Sequence, residues 1–416
     1  MLRYLYSLLL YLVMPYALLR LLWRSRKAIA YRQRLPERFG FFRMNKQFKG
    51  GLWVHAVSVG EVMAAVPLIR EFQATHPKIP IVVTTMTVTG SERVSSLLHD
   101  SVFHVYMPYD LPCAMIRFFR KVHPRLIVIM ETEVWPNLLH QAKCQKVPVM
   151  LANARMSERS AKGYLRFKRF IHTVFESFAI VAAQARADAE RFRQLGVSEK
   201  QVTVTGSIKF EITQPASLLE AGELLRQQLG AHRPVWIAAS TRDDEEEIIL
   251  KAFDSIKQTI PDCLLLIVPR HPERFGRVHT MCKQHGFKVV LRSSGKACDN
   301  RTDIFLGDSM GEMMLFYAAS DVAFVGGSLL PLGGQNMLEP ASFGLPIITG
   351  PHLFNFAEAE RLLQEAAAIV IVNNEKELAT QVINCFHDTE LRQQLGDRAK
   401  EVVEANRGAL ERHVQL

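Results

Sequence analysis

Phe324-Val325-Gly326-Gly327-Ser328, running on through Gly333-Gly334-Gln335-Asn336-Met337-Leu338-Glu339-Pro340, decides how the rest of the chain is read. Val322 to Val325 make a short apolar strand, the glycines a loop, and a helix is predicted to open near Asn336. Such a turn suits a phosphate, because glycine lets the backbone approach and a helix start offers free N–H groups. Glu339, in the first helical turn, is placed to accept two ribose hydroxyls. A tight strand-to-helix turn, with Glu339 merely favouring the helix dipole, fits the loop equally well.

Upstream, the same grammar recurs. Strands of continuous apolar residues begin at Leu52, Ile81, Val102, Leu126, Pro148, Ile180 and Val202, each followed by a helical stretch. After a connector and helix at Thr213–Arg233 the alternation restarts at Val235, Leu264, Lys288, Ile304, Val322, Pro346 and Ala368. Apolar strands alternating with helices mean parallel, doubly wound sheets. The fold class is therefore α/β, with two Rossmann-like halves facing a cleft. The boundaries predicted are an N-terminal membrane anchor over 1–27, a first domain over 28–206, a linker over 207–233 and a second domain over 234–416. A chain of 416 residues is too long for one core.

Composition narrows the function. The net charge is +10, yet Arg20 to Lys49 holds ten Lys and Arg against Glu37 alone. This cluster directly follows Tyr4–Trp23, an apolar run interrupted only by Arg20 and long enough to cross a bilayer as a helix. Pro15 is expected to kink it. An anionic membrane explains that placement better than nucleic acid, for which no aromatic-basic platform exists. The positive-inside rule leaves the remaining chain in the cytoplasm. A helix lying on the membrane is the alternative. The six cysteines are scattered, without a C-x-x-C pair, and the fourteen histidines show no zinc-ligand spacing. No G-x-G, no P-loop and no D-x-D occurs.

Candidate chemistry lies at strand ends, where doubly wound sheets bind ligands. Ser58-Val59-Gly60-Glu61 follows the first strand and offers a carboxylate as general base. A helix start is expected to keep that carboxylate's pKa low. A helix-capping acid without chemistry is the other reading. Glu131-Thr132-Glu133-Val134-Trp135-Pro136-Asn137 follows the fourth strand. Thr84 to Ser91 is either a polar site or an N-cap cluster. Asn153 to Ser157 leads into a helix carrying Arg155, Arg159, Lys162, Arg166, Lys168 and Arg169 against Glu158, a solvated face or a lipid-phosphate contact. In the second half, Pro269-Arg270-His271-Pro272-Glu273-Arg274 and Gly307-Asp308-Ser309-Met310-Gly311-Glu312 follow strands, and Arg270 suits a phosphate.

Taken together with Thr205-Gly206-Ser207-Ile208-Lys209-Phe210, these motifs and the anchor resemble, over essentially the whole length, the 3-deoxy-D-manno-octulosonic acid (Kdo) transferases of lipopolysaccharide assembly. The resemblance implies a GT-B fold and transfer of Kdo from CMP-Kdo to the lipid A precursor, lipid IVA, at the cytoplasmic face of the bacterial inner membrane. It implies inversion, no metal and no cofactor beyond the donor. Glu61 resembles the family's catalytic base, with Glu131 and Lys209 in support. Pro269-Arg270, Met310-Gly311-Glu312 and Asn336-Met337-Leu338-Glu339 resemble its CMP-binding segments. Gln335 and Met337 stand where His and Pro are expected. The expected partners are CMP-Kdo, the lipid A precursor and membrane lipids. Two rivals remain at this point. One is another GT-B enzyme, a hexosaminyl transferase or an epimerase, although an epimerase has no use for an anchor. The other is a non-catalytic, membrane-tethered nucleotide-binding scaffold, which needs no acid at the cleft.

Overall fold

The computed structural model describes residues 2–24 and 32–416. Met1 and residues 25–31, with Arg26, Lys27 and the expected anchor boundary among them, lie outside the described residues. The chain divides into two compact units, Met1–Glu211 with Arg407–Leu416, and Ile212–Asn406.

The first unit is built on β1 (Leu52–His55), β2 (Ile81–Thr85), β3 (Phe103–Tyr106), β4 (Leu126–Met130), β5 (Val149–Ala154), β6 (Ile180–Ala183) and β7 (Val202–Val204). Their order is β3-β2-β1-β4-β5-β6-β7, and every pairing is parallel. The central strands β1, β2, β4 and β5 are buried almost throughout, which is why their sequences run apolar instead of alternating. Trp53 of β1 is fully buried, its ring 4.6 Å from Phe118 and 5.6 Å from Phe119. The strand order reverses between β1 and β4. The loops after those two strands therefore flank the crevice where such sheets hold ligands.

The second unit repeats the plan with β8 (Val235–Thr241), β9 (Leu264–Pro269), β10 (Val289–Leu291), β11 (Ile304–Leu306), β12 (Val322–Val325), β13 (Ile347–Thr349) and β14 (Ile369–Ile371). The order is β10-β11-β9-β8-β12-β13-β14, again all parallel, with the reversal between β8 and β12. After β8 comes the helix Glu245–Thr259, with three acids in its first turn and Lys257 in its last, as the helix dipole favours. Its stripe of Ile249, Leu250, Phe253 and Ile256 closes onto Trp236 in the core.

Four details differ from the sequence reading. The single helix expected from Glu158 to Ser177 is two, Glu158–Leu165 and Lys168–Phe175, separated at Arg166 and Phe167. The break re-aims the second helix so that Ile171, Val174 and Phe175 reach the core. The helix Ala216–Leu229, read as linker, belongs to the second unit. There Gly222 lies so close to Ala318 that a Cβ on it would meet Ala318 Cβ at 2.5 Å. The final helix Ala409–Val414 packs on the first unit through Leu410 and Val414, whereas periodicity alone assigned it to the second. Lastly, the helix expected to open near Asn336 spans only Leu338–Ser342. At the other end of the chain, Leu2–Arg24 runs as one helix through Pro15, and Leu2–Leu21 is long and apolar enough to cross a membrane.

Candidate active site

Glu61 stands where β1 turns into the helix Val59–Thr75. Ser58 is the N-cap, and its hydroxyl accepts the Glu61 N–H at 3.4 Å. The carboxylate of Glu61 folds back over the turn. It accepts the Val57 N–H at 2.8 Å and the Ser58 hydroxyl at 3.0 Å. Ser-x-x-Glu is thus a helix-start lock as well as a candidate base. Burial pushes the Glu61 pKa up to about 7, and the charges of Glu131 and Glu133 push the same way. The expectation of a low value fails because desolvation outweighs the two hydrogen bonds and the helix start. Beneath this turn His55 is fully buried, 2.9 Å from Thr84 Oγ1 and edge-on to Trp135. Burial holds its pKa down to about 4, so its ring is neutral.

Across the crevice, Glu131 follows β4 with φ of 57°, a left-handed backbone that costs a non-glycine residue about 1–2 kcal/mol. Its carboxylate meets Lys209 Nζ at 2.8 Å. Lys209 rides on a short 3₁₀ turn, Ile208–Phe210, capped by Ser207. That turn is tied to the end of β5, where Asn153 Oδ1 accepts the Ile208 N–H at 3.1 Å. Asn153 is itself left-handed, at φ 52°. Its own N–H is taken by His413 Nε2 at 2.9 Å, while His413 Nδ1 lies 2.6 Å from the Ala409 carbonyl. The imidazole is therefore the Nδ1–H tautomer, and burial lowers its pKa, which keeps Nε2 free to accept. The structure thus brings Glu131 and Lys209 into one ion pair and sets Glu61 within the influence of Glu131's charge. Thr87, by contrast, is the N-cap of Val88–Leu98, accepting the Gly90 N–H at 3.1 Å, so that stretch is structural.

In the second unit the glycine loop does something other than the sequence suggests. Its backbone donors are already engaged. Glu245, fully buried at the opening of Glu245–Thr259, accepts the N–H groups of Gly327 at 2.7 Å, Ser328 at 3.0 Å and Leu329 at 3.1 Å. It also accepts the Arg242 N–H at 3.2 Å. The expected phosphate cradle is filled by the protein's own carboxylate. The N–H groups of Gly327, Ser328 and Leu329 are thereby closed to a phosphate, and the helix that follows is only five residues long. Glu245 was missed because nothing near it in sequence marks its three loop partners, which lie more than eighty residues on. The one signal was three consecutive acids at a helix start.

The positive charge at these strand ends comes from arginines. Arg270 follows β9 and Pro269, its N–H donating to the Thr241 carbonyl at 3.0 Å. Arg242, from the loop after β8, and Arg277 add positive charge, and both lower the pKa of Arg274, although burial is the larger cause. Arg274 is neutralised by Asp243 and by Glu246, the latter at 2.8 Å. The half-buried Glu339 has its pKa raised by burial, with the charge of Arg270 opposing, and accepts from Asn336 Nδ2 at 3.1 Å. Asn336 Oδ1 in turn accepts the Leu338 N–H at 3.1 Å, and Met337 and Leu338 are core. Glu312 is tied up by Arg292, at 2.7 Å, and by the Ser309 hydroxyl, and Arg292 lowers its pKa. Gly311, at φ 86°, makes the turn before it, with Met310 exposed. Of the segments predicted to bind the donor, Arg270 and Glu339 retain groups able to meet a nucleotide, whereas Glu312 is held in an ion pair.

Residues 33–212 match a family described as 3-deoxy-D-manno-octulosonic-acid transferase (kdotransferase), and residues 245–402 match glycosyl transferases group 1. The chain is 43% identical to the 3-deoxy-D-manno-octulosonic acid transferase of Haemophilus influenzae over all 416 residues, covering 97% of that protein. It is 34% identical to the enzyme of the same name from Bordetella pertussis over 91% of this chain and 89% of the other. A solved UDP-GlcNAc 2-epimerase from Neisseria meningitidis aligns with a TM-score of 0.60 at 14% identity, over 88% of this chain and 98% of that one. That likeness speaks for the fold alone, and the fold is GT-B. With full-length relatives at such identity, the chain belongs to the 3-deoxy-D-manno-octulosonic acid transferase family and is a glycosyltransferase of Kdo.

Proposed function

We propose that this enzyme moves Kdo from CMP-Kdo to the glucosamine disaccharide of the lipid A precursor, lipid IVA, with inversion, without a metal and with no cofactor beyond the donor. The setting is the cytoplasmic face of the bacterial inner membrane. The observation that carries this reading is Glu61, a buried carboxylate with a pKa raised to about 7, set beside the Glu131–Lys209 pair. A base works best when its pKa lies near the working pH, and at pH 7 about half of such a group is ionised.

In this scheme the acceptor hydroxyl gives its proton to Glu61 as its oxygen bonds to the anomeric carbon of Kdo. The bond from that carbon to the phosphate oxygen breaks, and CMP departs with the electron pair. Arg270 meets the growing negative charge on the leaving phosphate. Glu339 takes ribose hydroxyls, and Pro269, Met310, Gly311, Glu312, Asn336, Met337 and Leu338 shape the nucleotide's surroundings. Lys209, fixed by Glu131, supplies the compensating cation on the acceptor side. One displacement on one face gives inversion.

Mass analysis of the product from CMP-Kdo and a tetraacylated lipid A precursor tests the reading. The expected result is acceptor carrying one or more Kdo residues, with undiminished rate in the presence of a chelator. Unmodified acceptor from active enzyme would refute the acceptor assignment. Retained anomeric configuration, read by NMR, would refute direct displacement.

A further inference from the structure

The helix Leu2–Arg24 is amphipathic the wrong way round for water. At 3.6 residues per turn, its shielded positions, among them Arg3, Tyr6, Ser7, Leu10, Met14 and Leu18, fall within an arc of roughly 120°. Among the described side chains the remaining arc is exposed and, Arg20 aside, apolar or aromatic, with Leu5, Leu8, Leu9, Leu12, Tyr16 and Leu19 all more than half exposed. Arg3, Tyr6 and Ser7 turn their polar groups inward. Arg3 donates to Asn137 Oδ1 at 3.1 Å, the Tyr6 hydroxyl to Asp110 Oδ2 at 3.1 Å, and Asn137 Nδ2 to the Ser7 hydroxyl at 3.0 Å. At the edge of the exposed arc, the Tyr11 hydroxyl reaches Cys113 Sγ at 3.1 Å. The receiving groups are fixed, since Asp110 also accepts the N–H groups of Asn137 and Leu138 at 2.9 and 2.8 Å. A surface helix in water shows its polar face outward. This one shows its apolar face, so the medium it meets is apolar.

The clamp also sets a length limit. It holds the helix to the first unit as far as Tyr11. The stretch from Leu12 to Arg24 rises only about 20 Å, and the hydrocarbon core is about 30 Å thick. With these bonds intact the helix cannot cross. A second feature lies alongside. At the break after Leu165, Phe167 is 70% exposed, among the exposed cations Arg159, Arg166, Lys168 and Arg169. One turn on, the ring of Phe170 is 6.2 Å from Tyr6, the same tyrosine that clamps the helix.

We propose that the clamped helix and the Phe167 break form one surface that lies on an anionic lipid bilayer, with the helix in the plane of the membrane and not across it. Apolar side chains enter the headgroup boundary and the surrounding cations meet lipid phosphates. This rests on the reading of Leu2–Arg24 as the membrane-binding element.

The test is co-sedimentation of the purified full-length protein with phosphatidylcholine–phosphatidylglycerol vesicles and with phosphatidylcholine alone. Wild type is expected to bind the anionic vesicles preferentially. A Ser7→Cys/Asn137→Cys variant, cross-linked between those two positions, is expected to bind as well as it does uncross-linked. Phe167→Glu should lower partitioning roughly tenfold, as should Leu12→Glu on the exposed arc, with unchanged melting temperature in both. If wild type binds neither vesicle, the membrane reading of the helix itself is wrong. If wild type binds but cross-linking releases it, the helix must leave the domain to insert, and the in-plane arrangement is overturned. Equal binding to both vesicles, or unchanged binding of Phe167→Glu, overturns the part played by the cations and the break.

Discussion

Each unit places a glutamate at the opening of the helix that follows its first strand, beside the point where its strand order reverses. The two have opposite fates. Glu245 accepts four backbone N–H groups and is sealed from solvent. Glu61 accepts one N–H and one hydroxyl, and has two acids for neighbours. The first is a carboxylate saturated with donors, and it builds a loop. The second is an under-supplied one, held near the pH at which it can take a proton. What separates these two carboxylates is the number of donors around each, not its position in the fold.

The comparison breaks most readily at Glu61. Glu61→Gln keeps size and hydrogen bonding but cannot take a proton, so turnover should fall by about 10²–10⁴ while CMP-Kdo affinity stays unchanged. Normal turnover in that variant would leave Glu61 as a helix lock only. Glu245→Ala should act on stability instead. It strands three buried N–H groups, each costing about 1–3 kcal/mol. A loss of at least about 3 kcal/mol lowers the melting temperature by about 6–12 °C for a unit of this size. Calorimetry checks this, and a well-folded variant with only altered kinetics would invert the assignment.

Arg270→Ala should weaken CMP-Kdo binding by about 1.5–3 kcal/mol in titration calorimetry, since a side-chain cation must meet the phosphate once Glu245 fills the loop. Unchanged affinity would return the phosphate to a backbone site. The smallest effect is in pH. With a base titrating near 7, kcat/KM should rise about tenfold between pH 6 and 8, and the rise should vanish in Glu61→Gln. Stability should move the other way. The folded pKa of Glu61 is raised, so its contribution is intact below the ordinary value of 4.5 and lost as pH passes through about 7. Glu61→Gln should therefore melt higher than wild type above pH 7 and converge with it in acid.

Much of this was open to a reader of the sequence. The central strands announce themselves as short apolar runs, because a parallel sheet covered on both faces leaves no reason to alternate. Glu61, Glu131 and Arg270 are found by following those strands to their ends. The rest depends on contacts far apart in the chain. Gly326-Gly327-Ser328 looks the same whether its donors await a phosphate or hold Glu245. Ser58-x-x-Glu61 looks like a cap, and the raised pKa comes from burial that no local pattern reports. Arg3, Tyr6 and Ser7 are ordinary polar residues in an apolar helix until Asn137 and Asp110 are seen beneath them.

The return of the last helix to the first unit has a consequence for synthesis. Thr205 and His413 meet across 208 residues, and Asn153 has its N–H satisfied by that same histidine. At about 5–20 residues per second, a ribosome needs roughly 10–40 s to make the intervening chain. For that interval the strand end that anchors Lys209 lacks its partner, while the whole second unit is being made. The first unit begun is thus the last completed, and a nascent chain halted before Arg407 should leave Asn153 and the 3₁₀ turn open to protease, closing only when His413 arrives.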